Sequence, residues 1–475
     1  MTERLARRPA LVVGLTMFVV VWTLTTHGKY SASGDEPHYL MVTRSLYVDH
    51  DIDVANNYAA NDGRLIGHDG LEAGAHARMN ATQRLLPVHD LGVSIALVPV
   101  YAIAEPIAAG MSESLLKRFR MTRGLFLYSL ITMVLLATTS AACGLLARSL
   151  ARTTAGSHAI VATLLVGLSP PLLLHSYLIF PEAFGFIAMC AVVCWSLNVR
   201  PSMNMTWPLV AALGALPWCH RKYSFLVFAC LVVMLIRHPR FWRERTAGER
   251  TLLALLFLAP QVAMHVWTLS TWGTLGGPQM LDALPFTVSG APRGFLGMLF
   301  DRQYGLMAVA PWYIFLPAAW ILAGKRAVLF LLPVVALYAP MAAFVVWWGG
   351  FSTAARYLVP LLPFCAAAVA WGLENRLFRR IVYSAAGVQA IVTAYAWQHP
   401  RTLWRTGLTN PLLDALGPIG RAYEARLPPL TNGEPILPAM IVAAVVIALN
   451  LLVVFAATRK PDATALKTAV TPHGV

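Results

Sequence analysis

The sequence predicts an all-α, polytopic transmembrane bundle of about 11–13 membrane helices, with an amphipathic surface helix in its first outer loop. Three observations carry this reading. Of 475 residues, 57% are apolar and 12% charged, against roughly 45–50% and about 25% in ordinary soluble domains. The apolar residues gather into runs that approach the ~20 needed to cross a bilayer. The net charge of +15, from 37 Lys+Arg and 22 Asp+Glu, is laid down in short basic clusters between those runs, the positive-inside pattern of a multi-pass chain. A soluble globular fold is excluded, and so is nucleic acid as the partner of the charge.

Taken in order, the apolar segments fall at 9–26, 88–108, 123–147, 158–178, 180–197, 206–218, 222–236, 251–270, 305–323, 327–347, 356–373, 380–397 and 438–457. The 206–218 and 222–236 pair, broken by Trp218-Cys219-His220-Arg221-Lys222, reads as two short helices meeting at a polar point. Residues 1–460 form one membrane domain without an appended soluble one, and 461–475 read as a short disordered tail. The six cysteines (Cys143, Cys190, Cys194, Cys219, Cys230, Cys365) all sit in apolar stretches. They suit packing rather than disulfides or a zinc site.

Arg4, Arg7 and Arg8 precede the first apolar run, and no small-x-small cleavage site follows it. The N-terminus is therefore expected in the cytoplasm, 9–26 as an anchor, and 27–87 outside. Arg148/Arg152, Arg200, Arg237 to Arg250, Lys325/Arg326, Arg376/Arg379/Arg380 and Arg459/Lys460 alternate correctly as inside turns when counted back from the C-terminus. That count also puts residues 109–122 outside, one crossing out of step with the count from the front. A non-crossing or hairpin segment at 88–108, interrupted by Pro99 and Glu105-Pro106, reconciles them. It places the cluster Lys117, Arg118, Arg120 and Arg123 beside the acidic loop.

That loop concentrates chemistry. Eight of the 22 acids, Asp35, Glu36, Asp49, Asp51, Asp53, Asp62, Asp69 and Glu72, lie within 27–87. The sharpest motif is Ser33-Gly34-Asp35-Glu36-Pro37-His38-Tyr39-Leu40. A carboxylate at the membrane surface can take the proton of an attacking hydroxyl. Equally, Asp35 before Glu36-Pro37 is a good helix start. Tyr39, Val42, Leu46 and Tyr47 then give one apolar face suited to lying along the bilayer. Six of thirteen histidines, His27, His38, His50, His68, His76 and His89, lie in or beside the loop. Asp35 and a histidine are donor types that a divalent cation accepts, yet no H-x3-H spacing occurs and no metal ligand is assigned. Asp49-His50-Asp51-Ile52-Asp53 lacks the glycine and distal Glu of a calcium loop and reads as a solvated turn.

Charge also sits near membrane depth in three later places. His220-Arg221-Lys222 interrupts the short hairpin, Glu182 follows Phe180-Pro181, and Arg356 follows Trp347-Trp348-Gly349-Gly350. Cations there can bind a phosphate or simply snorkel to the interface. Two cations between broken helices favour function, whereas Arg356 is open. Trp272-Gly273-Thr274-Leu275-Gly276-Gly277-Pro278 is too irregular for a phosphate loop and lacks its Lys-Ser/Thr ending.

Asp35-Glu36-x-x-Tyr39, His89-Asp90-x-Gly92, Phe180-Pro181-Glu182, Leu299-Phe300-Asp301-Arg302-Gln303-Tyr304-Gly305-Leu306, and Trp347-Trp348-Gly349-Gly350-Phe351-Ser352 through Arg356-Tyr357-Leu358-Val359-Pro360 follow one another over roughly residues 10 to 375. In that order and membrane placement they resemble the GT-C superfamily of polytopic glycosyltransferases, which includes aminoarabinose transferases and protein O-mannosyltransferases. The resemblance implies inverting transfer of a sugar from a polyprenyl-phosphate donor to a hydroxyl of a glycan, lipid or protein acceptor. It places the reaction on the outer face of a bacterial cytoplasmic membrane, among membrane lipids and without nucleic acid. It implies Asp35 as general base with Glu36 assisting, and Arg123 with Arg221, Lys222 or Arg356 holding the lipid phosphate. Tyr39, His89, Asp90, Glu182, Asp301 and Tyr304 would bind substrate; no cofactor is assigned, and a divalent cation stays open. Pro37-His38 inside the motif departs from the family pattern and leaves sugar and acceptor open. A transporter or flippase of lipid-linked saccharide is the alternative, since broken helices with buried charge also suit transport. A non-catalytic assembly subunit, with Asp35 and Glu36 as helix caps, is another.

Overall fold

The computed structural model describes residues 8–25, 34–278, 286–350, 352–403 and 410–459. Arg4, Arg7, His27, Ser33, Phe351, Lys460 and the 461–475 tail lie outside them. The longer helices are α1 (Pro9–Thr25), α2 (Glu36–Arg44), α3 (Gly92–Ala109), α4 (Arg123–Leu150), α5 (Gly156–Gly167), α6 (Pro181–Ser196) and α7 (Met203–Ala215). They continue with α8 (Tyr223–Arg237), α9 (Ala247–Trp272), α10 (Ala291–Phe300), α11 (Leu331–Ala343), α12 (Leu362–Gly372), α13 (Arg376–Gln398) and α14 (Leu437–Thr458). One connected apolar core runs from Val13 to Val453, and the chain is a multi-pass, helical membrane protein.

Among the described residues, α3, α4, α9 and α14 are long and apolar enough to cross a membrane. The runs Pro311–Arg326 and Val328–Ala343 meet at 119° and qualify together. Most other predicted spans appear as shorter apolar helices, including Gly156–Gly167, Pro181–Ser196 and Tyr223–Arg237. The shortening has local causes. Segment 158–178 breaks after Gly167 at Ser169-Pro170-Pro171, and 356–373 starts as a 3-10 turn, Arg356–Leu361, around Pro360. Proline removes a helical hydrogen bond and crowds the preceding turn.

α1 and α4 run antiparallel in close contact. A Cβ on Gly144 would lie 2.5 Å from the Ala10 carbonyl oxygen, so the far half of α4 lies against the start of α1. α4 therefore begins on the face where α1 ends. α3 stays on that face. Near its start the Ser94 hydroxyl donates to the Tyr39 carbonyl at 2.9 Å. Near its end Ala108 and Ala109 line a cavity of about 300 Å³ with Arg44, Arg64, Glu105 and Arg123. Both ends of α3 thus pack beside the acidic loop, as a non-crossing segment 88–108 requires, and Arg123 lies near its far end. On the opposite face the basic turns converge. Arg326 pairs with Glu374 at 2.7 Å, Arg237 donates to the Arg326 carbonyl, and Arg379 contacts His158 at 3.2 Å.

Two features of the first loop differ from expectation. α2 forms where predicted, but Glu36 through Thr43 are all buried, so it is not a surface helix. Loop 53–91 and α3 fold over it: the Tyr58 hydroxyl meets His38 at 2.7 Å, Asp62 accepts from Arg44 at 3.0 Å, and Ser94 reaches the Tyr39 carbonyl. The loop also carries a small antiparallel hairpin, β1 (Ala77–Met79) and β2 (Leu85–Pro87), with Ala77 opposite Pro87. Asn80 builds its turn by accepting the Thr82 and Arg84 amides. Asp49 and Asp51 accept from Asn57 and Ser45, as suits a structured turn.

Candidate active site

Asp35 occupies the N-cap position of α2 yet makes no side-chain capping bond. Its carboxylate turns instead to Arg356, with Nη2 3.4 Å from Oδ2, and to His76, with Nδ1 3.9 Å from Oδ1. Burial works to raise the Asp35 carboxyl, but opposing charge, Arg356 foremost, holds it below the usual carboxylate range. Glu36 has the opposite fate. It is fully buried and accepts from the Tyr128 hydroxyl at 3.0 Å and the Ile179 amide at 2.9 Å. It is a strut joining α2 to α4 and to the chain before α6, and these bonds give it no opening toward an acceptor.

Arg356 is the hub. Its Nε donates to Glu182 at 3.1 Å and its Nη1 to the Gly349 carbonyl at 3.1 Å, while its guanidinium stands 4.8 Å from the centre of the Phe180 ring. Gly349 has φ of 86°, and a Cβ there would come within 2.7 Å of Arg356 Cδ. Only glycine holds that turn against the arginine. Lys222 meets the same Glu182 oxygen at 2.5 Å and lies 4.6 Å from the Tyr357 ring centre. The break between α7 and α8 delivers Lys222, and the start of α6 delivers Glu182. Arg221 turns away to grip Asp90, with Nη2 to Oδ1 at 2.5 Å and its own amide to Oδ2 at 3.0 Å. Asp35, Glu182 and Asp90 thus balance Arg221, Lys222 and Arg356. Of the three acids, Asp35 has the most exposed side chain, 20% against 9% for Asp90 and 0% for Glu182.

The histidines complete the wall. His76 Nδ1 lies 2.9 Å from His89 Nε2. His38 stacks on His76 with ring centres 3.7 Å apart and meets the Tyr58 hydroxyl at 2.7 Å. Tyr39 packs beside His89 at 5.0 Å. Burial, reinforced by the neighbouring imidazoles, pushes His38 down to about 3 and burial likewise lowers His76 and His89. These rings are neutral near pH 7.

Three sequence-derived assignments land elsewhere. Arg123 is exposed and paired with Glu113 at 2.9 Å, in the cavity beside α3 rather than in the Asp35 cluster. Asp301 is fully buried and accepts the amides of Gln303, Tyr304 and Thr431 at 2.9, 2.8 and 3.1 Å. It organises a turn. Tyr304 contributes its carbonyl, which accepts the Ala355 amide at 2.8 Å, and so sets the approach to Arg356. Conversely, sequence alone does not single out His76, His175 or Thr353. His175 Nε2 meets Thr353 Oγ1 at 2.7 Å and ties the chain before α6 to the Arg356 turn. The hairpin between His76 and His89 brings them together, and its three-residue strands are too short to signal this in the sequence.

Fold and site together define a helical membrane protein with a charged cluster at one membrane face. Two crystal structures of ArnT from Cupriavidus metallidurans, one bound to undecaprenyl phosphate and one in the apo state, are similar to the chain. Their TM-scores are 0.48 and 0.49, at 13% identity over 94% of this chain and 76% of theirs. A similarity of that order transfers no residue role. No protein-family model matches the sequence, and neither does a curated protein.

Proposed function

We propose that this protein is a membrane glycosyltransferase that moves a sugar from a polyprenyl-phosphate carrier to a hydroxyl acceptor at the outer face of the cytoplasmic membrane. The observation that carries the reading is an accessible carboxylate, Asp35, set 3.4 Å from an arginine that shares Glu182 with a buried lysine. Asp35 takes the acceptor proton, the acceptor oxygen attacks the anomeric carbon from the face opposite the phosphate, and the carbon–oxygen bond to phosphate breaks with inversion. The carrier leaves as a phosphate whose developing charge is met by Arg356, with buried Lys222 behind it on the shared Glu182. Such stabilisation is commonly the largest electrostatic contribution to a transfer of this kind. Arg221, tied to Asp90, lines the same cluster. The motif order that resembles GT-C enzymes supports the same chemistry.

The test is transfer of radiolabelled sugar from polyprenyl-phosphate carrier isolated from the host membranes. Asp35→Asn removes the base with little change in shape and should lower the rate by about 10²–10⁴-fold. Transfer by the folded Asn variant at the wild-type rate overturns the assignment.

A further inference from the structure

We infer that Asp35, His76 and His89 together bind one first-row divalent transition cation of the zinc type. The inference does not rest on sugar transfer, because a cation held here is measured as metal whatever the chain transfers. His76 Nδ1 and His89 Nε2 face one another at 2.9 Å, Asp35 Oδ1 lies 3.9 Å from the same His76 nitrogen, and the three donor atoms all fall within 4.8 Å of one another. Ligands at ~2.0–2.2 Å from a tetrahedral zinc stand roughly 3.2–3.5 Å apart. The short edge is close to that spacing already, and side-chain rotation closes the others.

Two imidazoles and one carboxylate make the donor set of zinc sites that keep an open position. The scaffold is rigid where it matters. The hairpin, with Ala77 opposite Pro87 and the Val88 amide bonded to the His76 carbonyl at 2.9 Å, sets His76 and His89 on adjoining flanks. His38 clamps the His76 ring from one face, and Tyr39 packs beside His89. Asp35 offers Oδ1 to the cation and keeps Oδ2, beside Arg356, with a lone pair left to take a proton. Its side chain and that of His76 remain 20% and 29% exposed, leaving a side open for a water or a substrate oxygen.

The experiment uses the full chain, purified in detergent without a polyhistidine tag, loaded with Zn²⁺, desalted and analysed by elemental mass spectrometry. About one zinc per chain is expected, with at least a roughly tenfold loss in His76→Gln and in His89→Gln. His265→Gln, exposed on α9, should keep the wild-type content. Size-exclusion profiles check that the variants are folded. Independently of any variant, Co²⁺ added to the wild-type chain should give the visible bands of tetrahedral nitrogen–oxygen coordination. Wild-type zinc below about 0.1 per chain, unchanged zinc in folded His76→Gln, or no Co²⁺ bands would overturn the site. The 2.9 Å contact would then be an imidazole–imidazole hydrogen bond.

Discussion

Asp35 owes its exposure and its charge to different neighbours. The helix start leaves its carboxylate out of the cap, and Arg356 keeps it ionised against burial. A base works deprotonated, so the transfer rate falls as pH drops through the folded pKa of Asp35. With that pKa depressed, the wild-type enzyme should show no acid limb from Asp35 above about pH 4. Arg356→Gln removes the largest opposing charge and leaves burial to raise the carboxyl, so the limb should move upward, beyond the ordinary carboxylate value. A pH–rate profile of the two proteins decides this, and coincident profiles would show that Arg356 does not tune the base. The sequence places Asp35 and Glu36 side by side as equal acids. Burial of Glu36 against Tyr128 and Ile179 separates them, and neither contact is local.

At the scale of elements, hydropathy and topology part company at α3. Its 18 residues satisfy length and apolarity, yet both ends pack on the face of the acidic loop. The charge count along the chain already pointed there, because positive-inside alternation constrains turns more tightly than apolarity constrains spans. A cysteine at exposed Ser114, just before α4, should therefore be labelled by a membrane-impermeant maleimide from the same side as one at Glu72 in the first loop. Of the native cysteines, five are buried and Cys194 is intermediate, which limits background. Labelling from opposite sides would restore a crossing at 88–108. The hairpin was less legible. Its strands are only three residues each, too short for alternation to announce them, although they set the spacing of His76 and His89.

Across the whole molecule, residues 35, 182, 222 and 356 meet through one buried acid. Glu182 accepts from both Lys222 and Arg356 with no solvent exposure. Glu182→Gln leaves two cations undercompensated and should destabilise the fold by about 3–5 kcal/mol. Thermal unfolding in detergent should show the loss, and Glu182→Gln with Lys222→Met should recover part of it, since removing the second charge also removes its desolvation penalty. Equal stability of wild type and Glu182→Gln would show the cluster to be solvated. The amino-acid sequence alone determined the helical membrane class, the basic turns of one face and the acidic concentration of the first loop, since these follow from composition and from charge along the chain. Only the tertiary structure decided which charges meet: it sent Arg123 to Glu113 and Arg221 to Asp90, and it joined Arg356 to Asp35 across 321 positions. Pairing between distant segments is settled by how helices pack and what they bury, and no local pattern in the chain encodes it.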